Sequence, residues 1–502
     1  MTASSSPGPP AVTRLSLATL DALPRGDTWS PPEVDPRALG VGVVHLGVGV
    51  FHRAHQAVYT ERAAALTGST QWGIAGVTQR SSAVRDQLAP QDGLYGVLER
   101  GEAVHLRVVG SIRRVLDGRG EAEDVLTLLA DPAVHVVTLT VTEKGYRTGV
   151  GGGLDLDDPD VREDVHGGPG RTVAGRLVRG LQRRYVTSGA ALTVVSCDNL
   201  TGNGRVLRRV VEDFVEALSG QGPSGFADWL GASVRFPASM VDRIVPATTP
   251  LDRAEARVLL GADDAGLVVA EPYRQWVLED DFAAPRPAWE RAGALLTDDV
   301  TPWETAKLRV LNAAHSMLAY LGALRGYETI AEAVRDDDLA GDVRALLVED
   351  VSPTLCVPAG LDLPAYREDV LERFANPALA HRTVQVAMDG SQKLPVRLLG
   401  TVRDRLAAGV VPRWAVRAVA GWMVYVSAGQ DAGGRPLPLE DPLAPRLREV
   451  AARAGDARVL VDGLLGVQEV FGDDLPEHAD LRAALVEEVA ALGGRRAVHP
   501  AG

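Results

Sequence analysis

Apolar and polar positions fall into two regimes along this chain. In the first 200 or so residues, short β-branched runs stop at glycine or polar residues and give way to stretches of helical composition. The runs are VGVVHLGVG (41 to 49), residues 73 to 77, VHLRVVGSI (104 to 112), VHVVTLTVTE (134 to 143) and ALTVVSC (191 to 197). EAEDVLTLLA and TVAGRLVRGLQRRYV stand between several of them. Such alternation predicts a mainly parallel, doubly wound sheet that binds ligands at the C-terminal ends of its strands. Beyond residue 300 the period is helical almost throughout. The reading is therefore α/β: a Rossmann-type doubly wound N-terminal domain over 13–294, then a mainly α-helical domain over 295–495, with residues 1–12 a loose tail.

The stretch TPWETAKLRVLNAAHSMLAYLG (301 to 322) reads as one helix. Thr301-Pro302 is a start signal, Glu304 follows three residues after the cap, and Gly322 is the stop. At about 100° per residue from Lys307, Glu304 lies near 60°, His315 near 80° and Asn312 near 140°. The four share one side of a helix whose remaining faces are apolar, so burial is expected. Desolvation disfavours the charged form of a lysine and lowers its pKa from about 10.4 towards neutrality, which suits a general base. Taken singly, each residue also fits a plain role: a snorkelling lysine, an Asn bonded to backbone, a satisfied core histidine.

The other candidate chemistry sits at strand ends. Gly47 and Gly49 form half of a dinucleotide fingerprint, with His52 where the third glycine belongs. After the strand at residues 73 to 77 the acid that grips a ribose 2′-hydroxyl is replaced by Thr78-Gln79-Arg80-Ser81. Arg80 suits a 2′-phosphate or plain solvent, so NAD and NADP both stay open. Thr142-Glu143-Lys144-Gly145-Tyr146 and Ser196-Cys197-Asp198-Asn199-Leu200-Thr201-Gly202-Asn203-Gly204 are chemically loaded strand ends, although Asn203-Gly204 also reads as an ordinary turn. Residues 149 to 170 read as an acidic, Gly-rich loop, 236 to 246 and 271 to 282 as cleft-lining loops, and 283 to 293 as a Pro-rich linker.

Composition narrows the partners. With 502 residues, 46% hydrophobic and 24% charged, the chain is long enough for two cores. A net charge of -14 argues against nucleic acid or an anionic membrane as partner. The two cysteines, Cys197 and Cys356, suggest neither disulfides nor a zinc cage. No signal sequence or membrane span is read, so the expected compartment is the cytoplasm and the expected partner a small molecule; the oligomeric state is open, and a monomer fits.

Seven segments in chain order carry a family resemblance: HLGVGVFHRAHQA, TEKGY, SCDNLTGNG, FPASMVDRIVP, EPYRQWVLEDDF, KLRVLNAAHSMLAYLG and DGSQKLP. Together they resemble the polyol-specific long-chain dehydrogenases, the mannitol 2-dehydrogenase and fructuronate reductase family. The resemblance implies an NAD-dependent, metal-independent oxidoreductase acting on CH–OH. It places the catalytic base at Lys307, an oxyanion-stabilising pair at Asn203 and Asn312, the residue orienting the reacting hydroxyl at His315, and an acid linked to proton passage at Glu304. It places substrate contacts at Asp242 and Lys393, and the cofactor loop at Gly47, Gly49 and Phe51; Arg80 and Glu143, read from the neighbouring strand ends, are the further cofactor-binding candidates. Where mannitol dehydrogenases can carry an arginine, eight residues before the lysine, this chain has Gln385. The expected reaction is D-mannitol to D-fructose, with fructuronate to mannonate as the alternative. An inactive NAD- or sugar-binding protein is the alternative of another class.

Overall fold

A computed structural model describes residues 13–24, 27–149 and 151–495. The expected tail, residues 1–12, lies outside them. The chain divides into two compact units, one ending at Val300 and the other beginning at Thr301.

The first unit is built on a six-stranded parallel sheet of β1 (Val41–Leu46), β2 (Gly73–Thr78), β3 (Ile112–Asp117), β4 (Val136–Leu139), β5 (Leu192–Ser196) and β6 (Val234–Arg235). Their spatial order is β3-β2-β1-β4-β5-β6. This is the doubly wound dinucleotide-binding order, which reverses direction between β1 and β4. The β-branched runs follow from burial on both faces. Val44 and Leu46 of β1 pack with Val125, Leu129, Leu177 and Phe214 of the helices 122–130, 173–187 and 203–217. Val43 packs on the opposite face with Ala57 and Val58 of the helix Gln56–Thr67.

Four readings of the first unit change. The run 104–112 is two strands in two sheets, Val104–Val109 and β3, parted at Gly110-Ser111. The Gly110 N–H donates to the buried Glu61 carboxylate at 2.5 Å, and a Cβ at Gly110 would stand 2.4 Å from Pro36 Cγ. Only glycine fits this step between sheets. Burial pushes Glu61 up to about 7. The expected loops at 236–246 and 271–282 contain an antiparallel pair, Ser239–Asp242 with Gln275–Glu279, in which Asp242 opposes Gln275. The Pro-rich 283–293 is packed rather than free: Trp289 is fully buried, 4.5 Å from the Trp276 ring, and its Nε1 donates to Thr60 Oγ1 at 3.0 Å. Within 149–170 a helix, Pro159–Val165, forms behind an Asp158 cap.

The second unit is helical and centres on residues 301 to 325, where every side chain from Val310 to Leu324 is buried. The expected single α-helix is interrupted: Thr301–Ala306 is α-helical, Lys307–Asn312 is a π-helical turn, and Ala313–Arg325 is α-helical again. The helix also runs past Gly322 to a left-handed cap at Gly326, φ 93°. Gly322 is a packing glycine, because a Cβ there would meet Ala333 Cβ at 2.7 Å. Among the described residues no helix is long and apolar enough to cross a membrane.

Candidate active site

In the first unit the loaded ends of β1, β4 and β5 lie on the edge where the strand order reverses. Gly47 follows β1 with φ +96°, and a Cβ there would stand 2.1 Å from Thr140 O. Its carbonyl accepts from Thr140 Oγ1 at 2.7 Å and its N–H donates to Val77 O at 2.8 Å, tying β1 to both neighbours. Gly49, exposed, precedes the short helix Val50–Ala54, whose Phe51 stacks on His55 at 5.0 Å. His52 does not take up the missing third glycine's role. It is fully buried and stacked on His45 with ring centroids 3.4 Å apart. Burial lowers His45 to about 3 and His52 well below its ordinary value, so the pair is neutral beneath the loop.

Arg80, after β2, is exposed, as is Glu143 on the turn after β4. That turn begins at Thr142 with φ +67°, a left-handed conformation costly for a β-branched residue. Asp198, which the sequence reading left without a role, holds it there. Its carboxylate accepts from Val141 N at 3.1 Å, Thr142 N at 2.7 Å and Tyr146 Oη at 2.7 Å, and so clamps the β4 loop to the β5 loop. Burial raises its pKa against the pull of those three donors. A carboxylate directly after a buried strand was the available signal.

The Asn203 amide is engaged within its own unit. Its Nδ2 donates to Asp198 O at 3.0 Å and Ser239 O at 2.7 Å, and its Oδ1 accepts from Ser239 N at 3.0 Å. An Asn amide has two N–H groups, and both are engaged. Asn203 is 1% exposed and knits the β5 loop to the strand Ser239–Asp242. Asn199, four residues earlier, is exposed at the end of β5. Asp242 is buried at the end of its strand, close enough to His55 and Tyr59 to act on both electrostatically.

In the second unit Glu304, Lys307, Asn312 and His315 are each 6 to 8% exposed on the interrupted helix. A π turn bonds i to i+5, so residues five apart come to lie above one another. Lys307 and Asn312 are five apart and bound the π segment. The interruption thus draws Asn312 towards the lysine's face, from the roughly 140° separation of a regular helix.

His315 stacks on Phe374 at 4.6 Å and meets the His381 ring edge-on at 4.9 Å. Burial, then the proximity of His381 and the positive charge of Arg397, Lys393 and Arg373, holds it well below its ordinary value; burial takes His381 itself down to about 4. Lys393, half-buried, donates through Nζ to Val386 O at 3.1 Å. Gln385 is exposed on the short helix Thr383–Val386. Arg397, four residues after Lys393, was missed; its Nη1 donates to Ser316 Oγ at 3.1 Å, next to His315. Among the described residues no group of three or more His, Cys, Asp or Glu is placed to hold a metal ion.

Residues 41–291 match the mannitol dehydrogenase Rossmann domain family and residues 299–493 the mannitol dehydrogenase C-terminal domain family. The chain is 41% identical to the D-mannonate oxidoreductase of Escherichia coli K12 over 477 residues, 93% of this chain and 97% of that one. It is 37% identical to the polyol:NADP oxidoreductase of Gluconobacter oxydans, covering 88% of this chain and 91% of that one. The solved structure of Pseudomonas fluorescens mannitol 2-dehydrogenase, a ternary complex with NAD and D-mannitol, superposes with a TM-score of 0.85 at 35% identity. The match covers 96% of this chain and 98% of that one.

Proposed function

The chain belongs to the mannitol dehydrogenase family and is an oxidoreductase of the CH–OH group of polyols or sugar acids; we propose from this that it interconverts a secondary alcohol and its ketone on an open-chain six-carbon substrate, with Lys307 as general base. The observation that carries the reading is the burial of Glu304, Lys307, Asn312 and His315 on one helix around a π turn. NAD, when bound, accepts the hydride. Lys307 takes the hydroxyl proton. Asn312 donates to the oxygen as charge develops on it, and Asn199 takes the second donor role in place of Asn203. His315, neutral, orients the hydroxyl, and Glu304 passes the proton onward from Lys307.

The first unit fits the dinucleotide. Gly47 and Gly49 lie at the switch point, and a Cβ at Gly49 would meet Gly47 O in ordinary contact at 3.8 Å. Gly47→Ala forces a Cβ against Thr140 O at a left-handed φ, so the loop must move. NADH affinity is expected to fall about 100-fold or more, with about 1–3 kcal/mol lost in stability. Fluorescence titration and thermal unfolding read the two effects.

The substrate is a polyol of the mannitol type or a sugar acid of the mannonate type. NADH absorbance at 340 nm decides it, with D-mannitol, D-mannonate, D-sorbitol and D-fructose assayed against NAD(H) and NADP(H). Turnover of D-mannonate, or of a polyol together with its ketose, is expected with a preferred cofactor. No turnover by protein that still binds NADH would support the inactive-binder reading instead.

A further inference from the structure

The Gly47 carbonyl collects three donors just beyond β1. It accepts from Thr140 Oγ1 at 2.7 Å, from Gly49 N at 2.6 Å and from His45 Nε2 at 3.1 Å. The His45 ring also meets Thr138 Oγ1 through Nδ1 at 2.7 Å and Thr140 Oγ1 through Nε2 at 2.9 Å. One placement of protons gives every contact a donor. Gly47 O can only accept, so the one Thr140 hydroxyl proton serves it, and the contact between Thr140 and His45 takes its proton from the ring. Nε2–H is therefore shared between Thr140 Oγ1 and Gly47 O, and Nδ1 accepts from the Thr138 hydroxyl. The fully buried ring is held flat against His52, with 3.4 Å between centroids and 12° between planes.

What the three donors hold is a peptide plane. The described residues contain no cis peptide bond, and in a planar trans peptide the C=O and N–H point in opposite directions. With the Gly47 carbonyl turned to His45 and Thr140, the Val48 N–H is turned away from both. Val48 is 2% exposed, and its N–H has no acceptor among the described residues. Its side chain is wedged over β2, where a Cβ on Gly76 would stand 2.8 Å from Val48 Cγ2. Buried backbone N–H groups almost always have a partner, so an unpaired one at the switch point calls for an acceptor that a ligand brings.

We propose that His45 is a positioning residue for the dinucleotide: with Thr138 and Thr140 it locks the Gly47–Val48 peptide so that the Val48 N–H donates to the pyrophosphate. The proposal rests on the reading of the first unit as the dinucleotide-binding one. All three side chains act through the backbone. A flipped peptide would aim a carbonyl oxygen at the phosphates, and the three bonds to Gly47 O oppose that flip.

The test measures NADH affinity by fluorescence titration, and ADP-ribose affinity by competition against NADH, in the wild type, His45→Phe, His45→Gln and Thr140→Val. Phenylalanine keeps a flat ring on His52 without a donor, glutamine keeps an N–H donor, and valine keeps the shape of Thr140 without its hydroxyl. His45→Phe weakens NADH and ADP-ribose alike by about 30-fold and Thr140→Val by about 10-fold, whereas His45→Gln stays within about 3-fold of the wild type. In steady state the loss falls chiefly on KM for NAD. Thr140→Val exchanges one β-branched residue for another and carries the test should the His45 variants not fold. Folded phenylalanine and valine variants that bind NADH like the wild type overturn the positioning role, however far their unfolding midpoints fall, and leave the dinucleotide reading standing. A glutamine variant as weak as the phenylalanine one overturns it too, since the donor then does not matter. A wild type that binds neither NADH nor ADP-ribose overturns both.

Discussion

Lys307→Ala lowers kcat for the preferred substrate about 1,000-fold at neutral pH and leaves NADH binding at the wild-type level. The cofactor's fingerprint, Gly47 and Gly49, belongs to the first unit, whereas Lys307 belongs to the second. Removing the amine therefore takes away proton transfer and not the dinucleotide loop. For alcohol oxidation the wild-type rate climbs with pH as the base loses its proton, and that limb is missing from the variant's profile. Stopped-flow hydride transfer and NADH fluorescence separate the two effects. A variant that keeps both its pH limb and near-normal turnover would remove the lysine from the base role. The side chain is 8% exposed, so alanine also leaves a cavity, and some loss of thermal stability accompanies the loss of rate.

How Lys307 and Asn312 come together was not legible in the sequence. An α-helical period correctly marked residues 301 to 322 as one buried helical element with its polar residues on one side. A π turn adds no residue type of its own, and KLRVLN has the composition of any helix interior. Only the backbone shows that the five-residue spacing makes one turn. The same limit explains Gly322, which looks like a stop until the Ala333 Cβ is seen 2.7 Å from where its own would be.

The parallel sheet was legible because burial on both faces leaves long β-branched runs, as in β1, β2, β4 and β5. The pair Ser239–Asp242 and Gln275–Glu279 was not, since each strand is short and flanked by polar residues or proline that blur a period of two. Likewise the run at 104–112 reads as one strand, and the step between sheets is set by Glu61, nearly fifty positions earlier in the chain. Lys393 was in view from the sequence. Arg397 was not, because only the fold sets it against Ser316, next to His315.

Asn199 and Asn203 sit in one loop and are the same residue type, but Asn203 is buried and Asn199 exposed. That difference in burial predicts different consequences for replacing them. Asn203→Ala leaves Asp198 O, Ser239 O and Ser239 N without their partner in a buried site, at a cost of about 2–4 kcal/mol. Its unfolding midpoint drops, and whatever protein is folded at low temperature keeps most of its kcat. Asn199→Ala, at an exposed position, lowers the midpoint less than Asn203→Ala does and lowers kcat about 100- to 1,000-fold, the size expected for one lost oxyanion donor. Thermal unfolding and steady-state kinetics on the two variants decide between them. If Asn203→Ala melts like the wild type and loses kcat while Asn199→Ala stays active, the donor is Asn203 after all and its bonds to Asp198 and Ser239 give way when substrate binds. The opposite pattern makes Asn203 the pin that fixes the β5 loop and, through Asp198, the strained Thr142 of the β4 loop.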